Sequence, residues 1–172
     1  MKPPDTILLP LDVRKCPLEV FYYINQFASH HRTVILLHVV NLNVVPPDGR
    51  VFDDVSRAAE KNLLRLSERF LDRRFFVRHQ IRFGRPAVEI LKEARVSNVD
   101  LITLTSHGKG TFWKRRIRPR IVEKVLRAAP CDVMLLHVRT RFNCEEDWDS
   151  VDEIVSALEY TNLLKVPAHS LV

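Results

Sequence analysis

The segment from Thr105 to Gly110 has the composition of an anion-binding loop. It reads Thr-Ser-His-Gly-Lys-Gly; glycines allow backbone amides to point at an anion, and a lysine adds positive charge. It is not a Walker A loop, because the four-residue gap and the closing Gly-Lys-Ser/Thr of that motif are missing. An ordinary turn between a strand and a loop has the same composition. The spacing alone therefore leaves an anion site and a plain turn open.

The carboxylate of Asp12 is a second candidate, because it ends the first apolar run of the chain. A carboxylate in that position can accept hydrogen bonds from a ribose hydroxyl or from a base amino group. The alternative is an aspartate that stabilises a turn ahead of Pro17, and the sequence does not separate the two.

A basic run covers residues 109–120 and also contains Phe112 and Trp113. Basic residues interleaved with aromatic ones can bind single-stranded nucleic acid through phosphate contacts and base stacking. No recognised nucleic-acid motif accompanies the run. Its composition therefore favours a solvated loop whose aromatic side chains cover the neighbouring helix.

The spacing of cysteine and histidine does not predict a metal site. Cys16, Cys131 and Cys144 are scattered without CxxC spacing, whereas metal sites need clustered ligands at short fixed intervals. No Ser-His-Asp order and no paired carboxylates can be recognised around His107. We therefore expect a binding protein with no catalytic residues rather than an enzyme.

Short apolar runs alternate with stretches of helical period along the chain. The runs cover 6–11, 32–40, 75–83, 99–105 and 132–138, and the helical stretches start after Pro17, near Val55, at Pro86 and near Ile121. This order predicts an α/β fold with an open five-stranded parallel sheet and helices on both faces. Ligands bind such sheets at the carboxyl ends of the strands, where the strand order reverses. Asp12, Val40 and Thr105 are therefore expected at one edge of the sheet.

Charge divides the chain into two parts. The net charge is +6, but residues 139–172 contain three basic and seven acidic residues and carry −4, so the first 138 residues carry +10. We predict a domain over 1–138 and an acidic extension over 139–172 that contains a short amphipathic helix. No apolar run is long enough to cross a bilayer, and the first residues lack the apolar stretch of a secretory signal. The expected location is cytoplasmic.

Four blocks of the sequence resemble, in the correct order, the universal stress protein family, and the likeness covers nearly all of residues 5–138. The blocks are Ile7-Leu8-Leu9-Pro10-Leu11-Asp12, residues 84–91, Val99-Asp100-Leu101-Ile102, and residues 106–110 followed by 121–133. The resemblance implies a stress-associated regulatory protein. It also implies a homodimer formed through the last strand, here through Val133, Leu135 and His137.

The ATP-binding branch of that family carries Gly-x2-Gly-x9-Gly-Ser/Thr, whose glycines let amides approach the phosphates and whose hydroxyl contacts them. On this chain the pattern falls on Thr105, Gly108, Arg118 and Pro119, so one of the four positions keeps its residue type. Pro119 has neither a hydroxyl nor a backbone donor, whereas Arg118 and Arg120 offer guanidinium charge to an anion instead. We therefore predict that the chain does not bind ATP tightly.

Three functions stay open at this point. The first is a stress-associated regulator without tight nucleotide binding, which explains the altered motif best. The second is a protein that binds ATP or AMP with at most slow hydrolysis, and the third is an adaptor for nucleic acid or an acidic partner through residues 109–120. The candidate nucleotide- or anion-binding residues are Asp12, Val40, Thr105, Ser106, His107, Gly108, Lys109, Arg118 and Arg120.

Overall fold

The computed structural model describes residues 4–13, 19–26, 32–41, 49–107 and 119–138. Five strands and four helices alternate within these ranges: β1 (Thr6–Leu11), α1 (Glu19–Asn25), β2 (Thr33–Val40), α2 (Gly49–Phe70), β3 (Phe76–Phe83), α3 (Pro86–Val96), β4 (Leu101–His107), α4 (Pro119–Ala128) and β5 (Asp132–Val138). Each strand begins and ends within two residues of its predicted position. The helix predicted near Val55 begins earlier, at Gly49.

The five strands form one parallel sheet in the order β3-β2-β1-β4-β5. Successive side chains of a strand point to opposite faces of a sheet. In β1, Ile7 and Leu9 accordingly pack with residues of α1 and α2, whereas Leu8 packs with residues of α3 and α4. Helices therefore cover both faces, and the predicted fold class is confirmed.

The edge strand β3 is fixed to α3 by an ion pair between the half-buried Arg82 and the buried Glu93. Arg82 donates from Nε to Oε2 of Glu93 at 2.6 Å, and its terminal nitrogen contacts the same oxygen. Glu93 is 1% exposed, and its other oxygen accepts a hydrogen bond from Ser97 Oγ at 2.6 Å. Because this buried carboxylate is fully partnered, it holds α3, and with it the turn that begins α3, against β3.

Two further predictions concern membrane-spanning helices and the C-terminal extension. Among the described helices, none combines the length and the apolar character that crossing a bilayer requires. The extension over 139–172 and its predicted amphipathic helix lie outside the described residues. The division of the chain into a domain and an extension therefore stays a prediction.

Candidate functional site

The order of the strands places the candidate site between β1 and β4. From β1 the chain proceeds to β2 and β3 on one side, and then returns to form β4 and β5 on the other. The carboxyl ends of β1 and β4 are therefore the place where ligands bind in open parallel sheets. Asp12 follows β1 and Thr105 lies near the end of β4, and both side chains are half-buried.

Pro10 lies where the carboxyl ends of these two strands are no longer paired. β1 pairs with β2 along its whole length but with β4 only at Ile7 and Leu8. The carbonyl of Asp5 accepts a hydrogen bond from β2 and that of Thr6 accepts one from the residue preceding β4. Because backbone groups alternate in direction along a strand, Pro10 faces β4 with a nitrogen that carries no hydrogen. The last residues that pair are Leu8 and Ile102, and we call the region beyond them, which Pro10 faces, the β1–β4 crevice.

A buried hydroxyl lies where the pairing ends. Thr103 follows Ile102, the last residue of β4 that pairs with β1, and its side chain is fully buried. Within the part of the chain that the structure describes, its Oγ1 has no hydrogen-bond partner, which is uncommon for a buried polar atom. The roles of Pro10 and Thr103 could not be predicted from the sequence, because they depend on the register of the strands.

Val40 forms the end of β2 beside the crevice, where a glycine turn holds it. Its carbonyl accepts a hydrogen bond from the amide of Gly84 at 3.0 Å. Gly84 has a φ of +147°, a conformation open almost exclusively to glycine, and a Cβ there would lie 3.1 Å from Glu89 Cγ and Oε1. Pro86, which begins α3, follows directly, so the β3–α3 turn lies at the same edge of the sheet as Asp12.

A histidine fixes the end of β1 immediately before Asp12. His38 is buried, and its Nδ1 lies 3.0 Å from the carbonyl oxygen of Leu11. Since a carbonyl can only accept, Nδ1 is the donor in this contact. The burial of His38 and its contact with the Leu11 carbonyl indicate a structural role at the end of β1.

The phosphate-binding motif is altered at positions that the structure describes. Ser106 and His107 belong to β4, where they lie beside the last two residues of β5. Pro119 is the first residue of α4 and Arg120, which follows it, is exposed. Proline is well tolerated at this first helical position, but it contributes no amide to an anion. Gly108, Lys109 and Arg118 lie outside the described residues.

The residues predicted for dimerisation lie on the other edge strand, β5. Val133 packs against the core on the side of α3 and α4, whereas Leu135 is 46% exposed. The structure describes the backbone of His137 in β5 but not the surroundings of its side chain. Dimerisation through this strand stays a prediction.

A serine and a histidine form a contact away from the crevice, between α2 and β3. Ser67 Oγ lies 2.9 Å from Nε2 of His79 and 2.8 Å from the carbonyl oxygen of Leu64, to which it donates. The one hydroxyl proton of Ser67 is thus committed to Leu64, so His79 is the donor to Ser67. Burial lowers the pKa of His79 from its usual value near 6.5. This arrangement supports packing rather than activation of a nucleophile, which requires the histidine to accept the proton.

Comparisons with known proteins cover nearly all of the described fold. A family model described as "Universal stress protein family" matches residues 4–137. The solved structure of hypothetical protein MJ0577 is 25% identical, with a TM-score of 0.65 over 79% of this chain and 97% of that one. Universal stress protein UspA from Lactobacillus plantarum is 20% identical, with a TM-score of 0.57 over 76% and 96%.

A further solved structure contains a ligand. It is a universal stress protein family protein from Arabidopsis thaliana with AMP bound, 18% identical, with a TM-score of 0.52 over 80% of this chain and 93% of that one. No curated protein gives a significant match. The family match extends from the start of β1 to the next-to-last residue of β5.

Proposed function

The chain belongs to the universal stress protein family, and from that premise we propose that it is a cytoplasmic, stress-associated regulatory protein that binds an adenine nucleotide weakly in the β1–β4 crevice. The observation that carries this proposal is the early end of the β1–β4 pairing, whose last paired residues are Leu8 and Ile102. It opens the sheet at the point where parallel α/β folds bind their ligands. The structural relative with bound AMP supports the choice of ligand.

The nucleoside part of the ligand has suitable partners at the crevice. Asp12 presents a half-buried carboxylate that can accept hydrogen bonds from ribose hydroxyls, and Val40 supplies a buried apolar wall on the neighbouring strand. The Gly84 amide holds the carbonyl of Val40 in place. Ligand sites commonly combine an apolar lining with a few fixed polar groups in this way.

The phosphate part of the ligand has fewer partners. Thr105 carries a side chain where the family motif has a glycine, and Pro119 begins α4 without a hydroxyl or an amide hydrogen. The exposed guanidinium of Arg120 offers charge instead, but charge in high dielectric contributes little binding energy. We therefore expect AMP to bind at least as tightly as ATP.

Thermal melting with AMP, ADP and ATP tests this proposal. A dissociation constant near 1 mM would stabilise the protein by about 1.4 kcal/mol at 10 mM nucleotide, which corresponds to a rise in Tm of about 3–6 °C for a chain of this size. We expect such a shift with AMP and no larger one with ATP. A shift of about 8–16 °C with ATP, as a dissociation constant near 10 μM would produce, contradicts weak binding.

Two charge-matched variants locate the site. Asp12→Asn should remove most of the AMP-induced shift, because the carboxylate at the end of β1 is its proposed partner. Glu68→Gln removes one negative charge from an exposed position on α2 and should leave the shift unchanged. If no nucleotide shifts the Tm of the wild-type protein at 10 mM, the regulatory function without nucleotide binding replaces the proposal.

We also propose that two copies pair through β5. The support is that β5 forms an edge of the sheet and exposes Leu135, because unpaired edge strands readily pair with another strand. Sedimentation velocity should show a dimer that Leu135→Lys weakens. A wild-type protein that stays monomeric up to its highest soluble concentration would contradict the pairing.

A further inference from the structure

The outer surface of α3 combines exposed valines with cations. Val88 is 52% exposed and Val96 is 67% exposed, and Lys92 lies between them at intervals of four residues, so the three share one face of the helix. Arg85, just before the helix, continues the same face, and both Lys92 and Arg85 are exposed. We call Arg85, Val88, Lys92 and Val96 the α3 outer stripe.

The nearby carboxylates of α3 and α4 pair with other cations than those of this surface. On α3, Glu93 is buried against Arg82, and Glu89 also turns toward that guanidinium, with 3.8 Å between Oε2 and the nearer nitrogen. On the neighbouring helix α4, Glu123 pairs with Arg127 at 2.7 Å. Among the described residues, the cations of the stripe therefore have no carboxylate partner, and the exposed Arg120 and Lys124 of α4 add to the positive charge.

The chain itself contains a segment with the complementary chemistry. Residues 139–172 carry a charge of −4, and residues 145–149 read Glu-Glu-Asp-Trp-Asp. Val151, Ile154, Val155 and Leu158 follow at the spacing of an apolar helix face. An acidic stretch followed by an apolar face matches a surface of cations and exposed valines.

The linker between β5 and the acidic segment is long enough for that segment to reach the α3 outer stripe. β5 ends at Val138 at the carboxyl edge of the sheet, and α3 begins at Pro86 at that same edge. Six residues separate Val138 from Glu145, and the seven steps from one Cα to the next span about 23 Å when the chain is extended. Packed helices lie about 8–10 Å apart, so an acidic segment leaving β5 can cross α4 and reach α3.

We propose that residues 145–158 dock on the α3 outer stripe of their own chain. The acidic residues then lie against Arg85 and Lys92, and the apolar face of residues 151–158 covers Val88 and Val96. Docking of this segment on the α3 outer stripe does not require nucleotide binding in the β1–β4 crevice.

Zero-length carbodiimide crosslinking of the full chain tests the docking, because it joins a lysine to a carboxylate only when the two touch. Peptide mass spectrometry should find Lys92 joined to Glu145, Glu146 or Asp147, at a yield at least fivefold above that of Lys61, an exposed lysine on α2. The yield should fall severalfold at 0.5 M salt, an ionic strength about three times physiological, because salt screens exposed charges.

Two variants separate docking on the stripe from chance encounters. Val88→Asp combined with Val96→Asp should reduce the Lys92 crosslink at least fivefold. The matched control is Leu126→Asp on α4, a residue that is 51% exposed and lies outside the stripe, and it should leave the yield unchanged.

Several outcomes would overturn the proposal. Equal crosslinking of Lys92 and Lys61, or a yield that does not respond to salt, would show that the segment has no preferred position. A mixture of isotopically labelled and unlabelled protein that gives mainly crosslinks between copies would assign the stripe to a second chain instead.

Discussion

Replacing Arg82 by methionine should destabilise the fold more than any loss of an exposed charge. The substitution removes the 2.6 Å hydrogen bond from Nε to Glu93 and leaves a carboxylate that is 1% exposed with Ser97 as its remaining partner. Breaking a buried pair in this way costs about 3–5 kcal/mol. Since domains are stable by about 5–15 kcal/mol, the loss is a large fraction of the total.

Urea denaturation of three variants measures this effect. Arg82→Met should lower the free energy of unfolding by about 3–5 kcal/mol, whereas Arg78→Met, at an exposed position of the same strand, should change it by less than about 0.5 kcal/mol. Replacing Arg82 and Glu93 together by methionine should recover most of the loss, because no buried charge is left without a partner.

Either of two results would show that the unpartnered Glu93 carboxylate does not cause the loss of stability. One is a cost for Arg82→Met that equals the cost for Arg78→Met. The other is a double variant no more stable than Arg82→Met alone, which would mean that Glu93 is not the source of the cost.

Three further predictions concern the crevice and the α2–β3 contact. Gly84→Ala should cost about 1–3 kcal/mol in urea denaturation, because its φ is unfavourable for alanine and the new Cβ would meet Glu89 at 3.1 Å; a cost below about 0.5 kcal/mol would contradict this. Burial lowers the pKa of His79, so the folded protein binds fewer protons there than the unfolded chain, and stability should fall as pH drops below about 6.5. His79→Gln should reduce that slope in melts recorded from pH 7.5 to 5, and an unchanged slope would refute the assignment. Pro10→Val restores an amide that faces β4 and should extend the β1–β4 pairing, so the AMP-induced rise in Tm should shrink; a larger rise would contradict the account of the crevice.

The positions of the strands could be predicted from the sequence because their apolar runs are short and bounded by polar residues. Helix bounds were harder to predict from the apolar stripe alone. The stripe that starts near Val55 marks the buried face of α2, but the helix begins at Gly49, before the stripe is established. Helices are stabilised along their whole length by backbone hydrogen bonds, so their ends need not coincide with their buried face.

The position of Asp12, Val40 and Thr105 at one edge of the sheet was predictable, but the early end of the pairing between β1 and β4 was not. Asp12, Val40 and Thr105 could be placed at one edge, because parallel strands align their carboxyl ends. The effect of Pro10 depends on which neighbour its nitrogen faces, and that follows only from the register of β1 against β2 and β4. Arg82 and Glu93 lie on different elements, so their pairing also left no signal in the periodicity of the sequence.

The ratio of the dissociation constants for AMP and ATP tests the central claim most directly. Equilibrium dialysis of the wild-type protein should give a dissociation constant for AMP in the millimolar range and a dissociation constant for ATP that is equal or larger. The reason is that Thr105 and Pro119 offer the phosphates fewer favourable contacts than the glycine and the Ser/Thr of the family motif at those positions. An ATP constant at least ten times smaller than the AMP constant would correspond to about 1.4 kcal/mol of added binding. That result would show that the phosphates are bound well despite the altered motif, and it would contradict the account.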